Sequence, residues 1–245
     1  MKALSRVLAI VICIAVTVTS IPVFAENEKV PVIYVFDDLV PRSWYLSGIS
    51  FCYERNIMAG VGNNRFEPNS PLTREMVAMM LYKYLKEDEK YTEYSFDDVE
   101  AGAWYADAVE WMYRNGYTAG VNEKEFGVGR YITRQDLMTL VYNVIFREWY
   151  LCGNYYYRED TIKSFSDAEE ISDYAFEAMS FAAGLAWSGM CRGSGEYEIE
   201  PILYGNNGKI KPKDNCTRAE AAAIFKRTFY DDCYSSVSEW EHPTS

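Results

Sequence analysis

The sequence has very little of the chemistry that most enzymes and metal sites need. Its single histidine, His242, lies near the C-terminus. Its six cysteines form no Cys-x-x-Cys pair and have no spacing typical of a zinc site. We therefore expect no catalytic residue, no metal ligand and no cofactor, and we interpret the chain as a non-enzyme.

Positive charge is also scarce. Lys and Arg number 24 against 36 Asp and Glu, so the formal net charge is −12. Because a surface of that sign repels polyanions and the anionic cytoplasmic leaflet, nucleic acid is excluded as a partner. An anionic ligand would have to be held by a local cationic pocket that works against the overall field.

No apolar run reaches the roughly 20 residues that a membrane-spanning helix requires. The run 7–18 follows Lys2 and Arg6 and precedes Val23-Phe24-Ala25, which is the pattern of a secretory signal peptide. We therefore expect residues 1–25 to be cleaved off, and the exported chain to have no membrane contact. Its predicted location is the cell wall, the S-layer or another part of a bacterial cell surface.

Export leaves an odd number of cysteines, so at least one thiol stays free. Cys191 and Cys216 bracket an irregular loop and are one possible disulfide. The alternative is a set of small buried thiols, and the sequence leaves both open.

An internal repeat organises the rest of the chain. Landmarks recur 60 positions apart without a gap: Phe36-Asp37-Asp38 and Phe96-Asp97-Asp98, Trp44 and Trp104, Gly60 and Gly120, and Thr73-Arg74 and Thr133-Arg134. A third, looser copy opens at Phe165-Ser166-Asp167 and closes at Thr217-Arg218-Ala219-Glu220. It has Tyr174 at the Trp position and 15 extra residues, which we place between Met190 and Lys209.

Each copy has the pattern of a helix, a loop and a second helix. The second helix starts at the Thr-Arg pair, where Thr is a good N-cap, and carries an apolar stripe at i, i+3, i+4 and i+8. We predict a mostly α fold, with three helix-loop-helix repeats in a pseudo-threefold arrangement around a central helical bundle. The predicted units are repeat one (26–90), repeat two (91–150), repeat three with its loop insertion (151–230) and a disordered tail (231–245).

The arginines of these pairs are unusual. Arg74, Arg134 and Arg218 each stand at the first helical position, where a cation opposes the helix dipole at a cost of about 0.3–1 kcal/mol. One explanation is an anion bound by the guanidinium together with exposed amides of the helix N-terminus. The other is a structural ion pair with an opening aspartate, and both can hold together.

These motifs resemble the S-layer homology repeat. The resemblance rests on the opening Phe-Asp-Asp, the Trp-containing helix, the Gly-Val turn, the loop Phe66-Glu67-Pro68-Asn69 and the closing Thr217-Arg218-Ala219-Glu220, and it extends over about 35–229. It implies a three-lobed helical unit that binds a secondary cell-wall polysaccharide, often through a ketal-linked pyruvate on a terminal amino sugar.

The resemblance also implies which residues bind the sugar. In each groove between repeats, the arginine would contact the carboxylate, while the opening aspartate, the aromatic residue and the glycine turn would shape the groove. The implied carbohydrate-binding residues are Arg74, Arg134, Arg218, Asp38, Asp98, Asp167, Trp44, Trp104, Tyr174, Gly60 and Gly120. We favour the groove of Arg74 and expect the insertion of copy three to border that of Arg218.

Two other functions remain open. Paired carboxylates such as Asp37-Asp38, Asp97-Asp98 and Asp231-Asp232 are compatible with a glycoside-cleaving enzyme by residue type alone, although such pairs are expected as solvated faces in so acidic a chain. The alternative is an envelope adaptor that binds peptidoglycan or another protein, for example through the Tyr-rich segment 150–157.

Overall fold

The computed structural model describes residues 30–149, 155–157, 159–188 and 201–229. The predicted signal peptide, the predicted tail and the centre of the insertion lie outside the described residues. Six α-helices account for most of the secondary structure, so the prediction of a mostly helical fold is confirmed. They are α1 (Leu46–Glu54), α2 (Arg74–Tyr84), α3 (Ala106–Arg114), α4 (Arg134–Trp149), α5 (Phe176–Gly184) and α6 (Arg218–Phe229).

The smaller elements are short. Strands β1 (Tyr155–Tyr157) and β2 (Leu185–Ser188) pair antiparallel. Four 3-10 turns complete the described structure, at Val32–Tyr34, Glu159–Ser164, Ala168–Glu170 and Asp173–Ala175. None of the helices within the described residues has both the length and the apolar character needed to cross a bilayer.

The second helices start where the Thr-Arg pairs predict. Thr217 and Glu220 form a reciprocal capping box at α6, since the Thr217 hydroxyl accepts the Glu220 amide and the Glu220 carboxylate accepts the Thr217 amide. The Thr133 hydroxyl caps α4 in the same way by accepting the amide of Asp136. The first helices end at residues with positive φ, Asn56 and Gly116, the conformation that ends a helix.

The segments that lead into the second helices pair with one another in a closed ring. The amide of Leu72 donates to the carbonyl of Cys216, that of Cys216 to Ile132, and that of Ile132 to Leu72, at 2.9–3.0 Å. All three residues are buried, so the ring lies in the core. Each copy is therefore hydrogen-bonded to both of the others at the base of its second helix.

The helices pack in the same cyclic order. The second helix of each copy lies on the first helix of the next: α2 on α3, α4 on α5, and α6 back on α1. Each second helix is therefore packed mainly against a first helix of a neighbouring copy. Cyclic pairing is what a pseudo-threefold arrangement requires, and the symmetry itself stays a prediction.

One glycine explains how closely the first and third copies approach. A Cβ on Gly48 of α1 would stand 2.7 Å from the Ala223 amide nitrogen of α6. No side chain fits between the two backbones at this point. Closure of the ring between copies three and one depends on this contact.

The first joint between copies is held in place. Lys90 pairs with Asp107 at 2.9 Å, and the amide of Tyr91 donates to the same carboxylate. Tyr82 donates from its hydroxyl to the Glu89 carbonyl. A segment that looks like a polar linker in the sequence is thus fastened onto α2 and α3.

The two cysteines within the described residues are buried free thiols. Burial raises the pKa of Cys52 and of Cys216 to about 12. The partner considered for Cys216, Cys191, lies outside the described residues. Cys216 belongs to the hydrogen-bonded ring and is fully buried there, like Leu72 and Ile132.

Candidate functional site

The opening aspartates each hold the loop of their own copy. Asp98 accepts the amides of Phe126, Gly127 and Val128, each at 2.8 Å. Asp38 accepts the amides of Phe66 and Glu67 at 2.9 and 2.7 Å, and Asp167 accepts those of Ile210 and Lys211 at 2.8 Å. Burial opposes ionisation of these carboxyls, but the backbone donors outweigh it, so the pKa of each lies below its usual value.

Arg218 of copy three binds the loop of copy one that Asp38 also holds. Its Nε donates to the Phe66 carbonyl and its Nη2 to the Ala59 carbonyl, both at 2.7 Å. The guanidinium also lies 4.6 Å from the centre of the Phe66 ring. Phe66 is therefore held at both backbone groups, by its own Asp38 and by an arginine of copy three.

Arg134 makes the equivalent contacts with copy three. Its Nε donates to the Ile210 carbonyl and its Nη2 to the Tyr204 carbonyl, both at 3.0 Å. Its Nη1 pairs with Glu220 at 2.9 Å. Each of these two arginines thus reaches into the loop of the following copy, and the copy-three loop lies on Arg134. Because the centre of the insertion lies outside the described residues, the expectation that it borders the groove of Arg218 stays a prediction.

Arg74 departs from this pattern. Its Nη2 donates to the hydroxyl of Thr118 at 3.1 Å, and its guanidinium lies 5.0 Å from the Phe126 ring centre. Its Nε is buried without a hydrogen-bond partner. Arg74 is thus the least satisfied of the three arginines.

The explanation of the arginines as ion-pair partners of the opening aspartates is wrong, and the explanation by a bound anion stays a prediction. Among the described residues, no groove arginine forms an ion pair with an opening aspartate, and the only carboxylate that one of them reaches is Glu220. The helix amides are occupied too, since the first amide of α2, α4 and α6 donates to Arg130, Asp214 and Ser70 carbonyls, respectively. The first amide of each of these helices is therefore not available to an anion.

The glycine turns allow close packing under the loop. A Cβ on Gly60 would stand 2.5 Å from the Phe36 ring, and one on Gly120 2.6 Å from the Phe96 ring. Sequence reasoning missed the third member, Gly205, whose Cβ would stand 2.2 Å from the Phe165 ring. The sequence does contain this glycine, in the pair Tyr204-Gly205 ahead of Lys209-Ile210. The insertion, however, places Gly205 farther from the opening motif of its copy than Gly60 and Gly120 are from theirs, and the common spacing is lost.

The three aromatic residues are exposed. Trp44 is 61%, Trp104 57% and Tyr174 62% accessible. The Tyr174 hydroxyl also donates to Asp136 and accepts from Gln135, both at 2.6 Å. Exposed indole rings have flat apolar faces of the kind that stack on sugar rings.

One groove is an open cleft of about 370 Å³ beside Arg134. Trp44 comes from copy one, Arg134 from copy two, and the rest of the lining from copy three, including Tyr204, Asn206, Glu220 and Arg227. Aromatic rings, amide groups and guanidinium groups are a suitable set for an anionic sugar. All three copies are needed to form this cleft.

Fold and site together define a repeat protein with binding grooves between its repeats. The S-layer homology domain family matches residues 35–75, 95–138 and 202–222. The chain therefore carries three tandem S-layer homology segments, as the motifs predicted. The matched segments fall within the three predicted repeats, whose outer boundaries stay predictions.

The similar proteins are surface proteins and enzymes, and each of them matches this chain over only part of its own length. An amylopullulanase of Thermoanaerobacterium thermosulfurigenes is 33% identical over 77% of this chain but over only 9% of its own length. A surface-layer 125 kDa protein of Lysinibacillus sphaericus is 26% identical over 71% of this chain and 13% of its own. A cellulosome-anchoring protein of Acetivibrio thermocellus is 26% identical over 43% of this chain and 25% of its own.

The chain thus spans a quarter or less of the length of these relatives. What they share with it is the S-layer homology region, and the surface proteins among them support a role in cell-wall anchoring. The predicted cell-surface location is confirmed at this level.

Proposed function

We propose that this protein anchors itself non-covalently to the bacterial cell wall by binding an anionic secondary cell-wall polysaccharide, and that it is not an enzyme. The observation that carries the proposal is the cleft beside Arg134, which is lined by an exposed indole and by two guanidinium groups from different copies. A sugar face would stack on Trp44, and a carboxylate or phosphate would be met by a guanidinium fork.

The negative charge of the protein means that binding of an anionic polymer depends on a specific site and not on general electrostatic attraction. A net charge of −12 gives no overall attraction to a polyanion. Binding of an anionic glycan therefore depends on the local geometry of the groove cations. A ketal-linked pyruvate, which the family resemblance implies, is a carboxylate of suitable size for one guanidinium.

The contacts of the opening aspartates indicate that these residues have a structural role and not an acid–base role. Each of the carboxylates of Asp38, Asp98 and Asp167 accepts at least two backbone amides, and each has a lowered pKa. A general acid for glycoside cleavage needs a raised pKa. The enzyme alternative is therefore the weaker one.

The test is binding of the purified protein to cell-wall sacculi, measured by co-sedimentation before and after the secondary polymer is stripped off. We expect stripping to abolish sedimentation. Retained binding would contradict the proposal and favour the alternative, an adaptor for peptidoglycan or protein.

A groove variant links that result to the site. Trp44→Ala removes a side chain that is mostly exposed, so the fold should keep its stability while affinity for unstripped sacculi falls about tenfold, as expected for loss of one stacked ring, worth roughly 1–1.5 kcal/mol. Tyr34→Ala, at an aromatic residue that is 66% exposed and does not line the cleft, is the matched control. Equal affinity of the two variants would argue against the cleft.

A further inference from the structure

The chain contains two Asn-Gly pairs, Asn115-Gly116 and Asn207-Gly208. An asparagine that precedes glycine is prone to lose its side-chain amide, because the next backbone nitrogen can attack the amide carbon and glycine has no side chain to hinder the attack. The rate depends on whether that nitrogen and the asparagine side chain are already held by other contacts. Exposure does not distinguish the two pairs, since all four residues are exposed.

The first pair is fixed at the end of α3. The amide of Gly116 donates to the Tyr113 carbonyl, and the side-chain amide of Asn115 donates to the Trp111 carbonyl, both at 2.9 Å. The two groups that would react are therefore both occupied. Breaking two such hydrogen bonds slows a reaction about thirtyfold, which corresponds to about 2 kcal/mol.

The second pair forms the tip of a two-residue hairpin in copy three. Asn206 and Lys209 exchange both backbone hydrogen bonds, at 2.8 and 3.1 Å. Asn207 and Gly208 have φ of 51° and 72°, as a type I′ turn requires. Among the described residues, neither the Asn207 side chain nor the Gly208 amide has a hydrogen-bond partner, and only the Gly208 carbonyl is held, by the Ser166 amide at 2.8 Å.

The space around this tip is open. A Cβ on Gly208 would meet no atom within 4 Å, so nothing prevents the turn from bending as the reaction requires. We propose that Asn207 is a site of spontaneous deamidation, and that its conversion weakens binding of an anionic polymer in the cleft beside Arg134. The modification does not depend on the proposed function, whereas its effect on binding rests on that function.

The reaction needs only water as a co-reactant. The Gly208 nitrogen loses its proton and forms a bond to Cγ of Asn207, the bond from Cγ to Nδ2 breaks, and ammonia leaves with a proton. Water then opens the resulting five-membered imide at one of its two carbonyls. One product is an aspartate, and the other is an isoaspartate in which the main chain runs through Cβ and Cγ. Both carry one new carboxylate, and nothing is oxidised or reduced.

The hairpin forms one wall of the cleft. Tyr204, Gly205 and Asn206 of its first arm line the cleft, and Arg134 holds the hairpin by the carbonyls of Tyr204 and Ile210, one on each side of the tip. Either product puts a negative charge one residue from Asn206, and this charge repels an anionic ligand. The isoaspartate also lengthens the main chain at the tip, which disturbs the pairing of the two arms.

The other copies supply the matched variant. The same turn has Asn63-Asn64 in copy one, where both residues have positive φ, and Glu123-Lys124 in copy two. Gly208→Asn therefore gives copy three the turn of copy one without straining the backbone. The added side chain hinders attack by the residue 208 nitrogen.

The first measurement is peptide mapping by mass spectrometry of the purified full chain during incubation at pH 8. We expect Asn207 to be converted about thirtyfold faster than Asn115, because only the latter must break two hydrogen bonds first. In Gly208→Asn, conversion of Asn207 should slow to the rate measured at Asn63.

The second measurement is co-sedimentation of fresh and incubated protein with unstripped sacculi. Incubation should weaken binding of the unaltered protein and leave Gly208→Asn unchanged. Asn207→Asp, which reproduces one product, should bind about threefold more weakly than Lys86→Asn, as expected for one exposed charge. Lys86→Asn changes the net charge by the same amount at an exposed residue with positive φ that does not line the cleft. Thermal unfolding of each sample shows whether the fold is retained.

The outcomes separate the modification from the proposed function. Conversion of Asn207 no faster than that of Asn115 overturns the modification site. Conversion without any loss of sedimentation, or equal binding of Asn207→Asp and Lys86→Asn, overturns the stated effect on the cleft. If fresh unaltered protein does not sediment at all, the proposed function is overturned, and the mass spectra alone decide on the modification.

Discussion

The grooves of Arg218 and Arg134 have nearly the same backbone and different chemistry. In both, Nε and Nη2 of the arginine hold two carbonyls of the next copy's loop, and an opening aspartate holds the same loop from the other side. They differ in the remaining guanidinium nitrogen: Nη1 of Arg134 pairs with Glu220 at 2.9 Å, whereas among the described residues no carboxylate lies within 4.0 Å of Arg218. The repeat motif therefore builds the same loop contacts at both arginines, and an ion pair is added at Arg134.

The largest expected effect concerns the structural contacts of the arginines. Arg218→Ala and Arg134→Ala each leave two loop carbonyls without donors, so the free energy of unfolding should fall by about 3 kcal/mol. Arg74→Ala removes only one side-chain hydrogen bond, and an Nε that has no partner, so its cost should be about 1 kcal/mol. Urea denaturation measures all three.

The prediction is contradicted if the three substitutions lower the free energy of unfolding by the same amount. Equal values would mean that Arg74 also holds loop carbonyls in solution. The three arginines would then not be distinguishable by their anchoring.

The next effect tests whether the third copy really repeats the first. Gly60→Ala and Gly205→Ala each drive a Cβ into the ring of the opening Phe and toward a backbone carbonyl 2.8 Å away. Each should lower the free energy of unfolding by about 2 kcal/mol, because the loop or the ring must shift. A neutral Gly205→Ala in thermal denaturation would show that the copy-three loop is not packed like that of copy one.

The smallest expected effect is a decrease of the free energy of unfolding at acidic pH. The pKa of Asp98 is lowered in the folded state, so its ionised form stabilises the fold above the unfolded pKa of about 4. This stabilisation is lost as the pH falls through the lower folded pKa, and the same holds for Asp38 and Asp167. Unfolding free energies measured from pH 5 down to pH 2 should therefore decrease.

Asp98→Asn sharpens this prediction. The variant should be less stable at pH 7 and should show a smaller decrease in acid, because one of the three titrating carboxylates is gone. A pH dependence identical to that of the unaltered protein would show that Asp98 does not contribute through its charge.

The sequence predicted the repeats and the helix starts well, and the reason is local. A Thr N-cap followed by an apolar stripe determines where a helix begins whatever surrounds it, as at Thr217 and Glu220. The opening aspartates and the glycine turns were also found from the motif. Their effect, holding or fitting under the loop of the same copy, follows from short-range geometry.

What could not be predicted depends on contacts between copies. The carbonyl contacts of Arg218 join residues about 150 positions apart, and no local pattern shows that a guanidinium at a helix start has backbone partners in another repeat. The cyclic order of the copies, which places the loop of copy three on Arg134, has the same origin.

The most direct test of the central claim is the NMR signal of the arginine side-chain nitrogens during titration with a methyl glycoside of an amino sugar that carries a ketal-linked pyruvate. We predict that the guanidinium resonances of Arg134, which lines the cleft together with Trp44, shift in a saturable manner. If saturating probe shifts none of the three groove arginines, these guanidinium groups serve only to hold the loops, and the proposed mode of binding is contradicted.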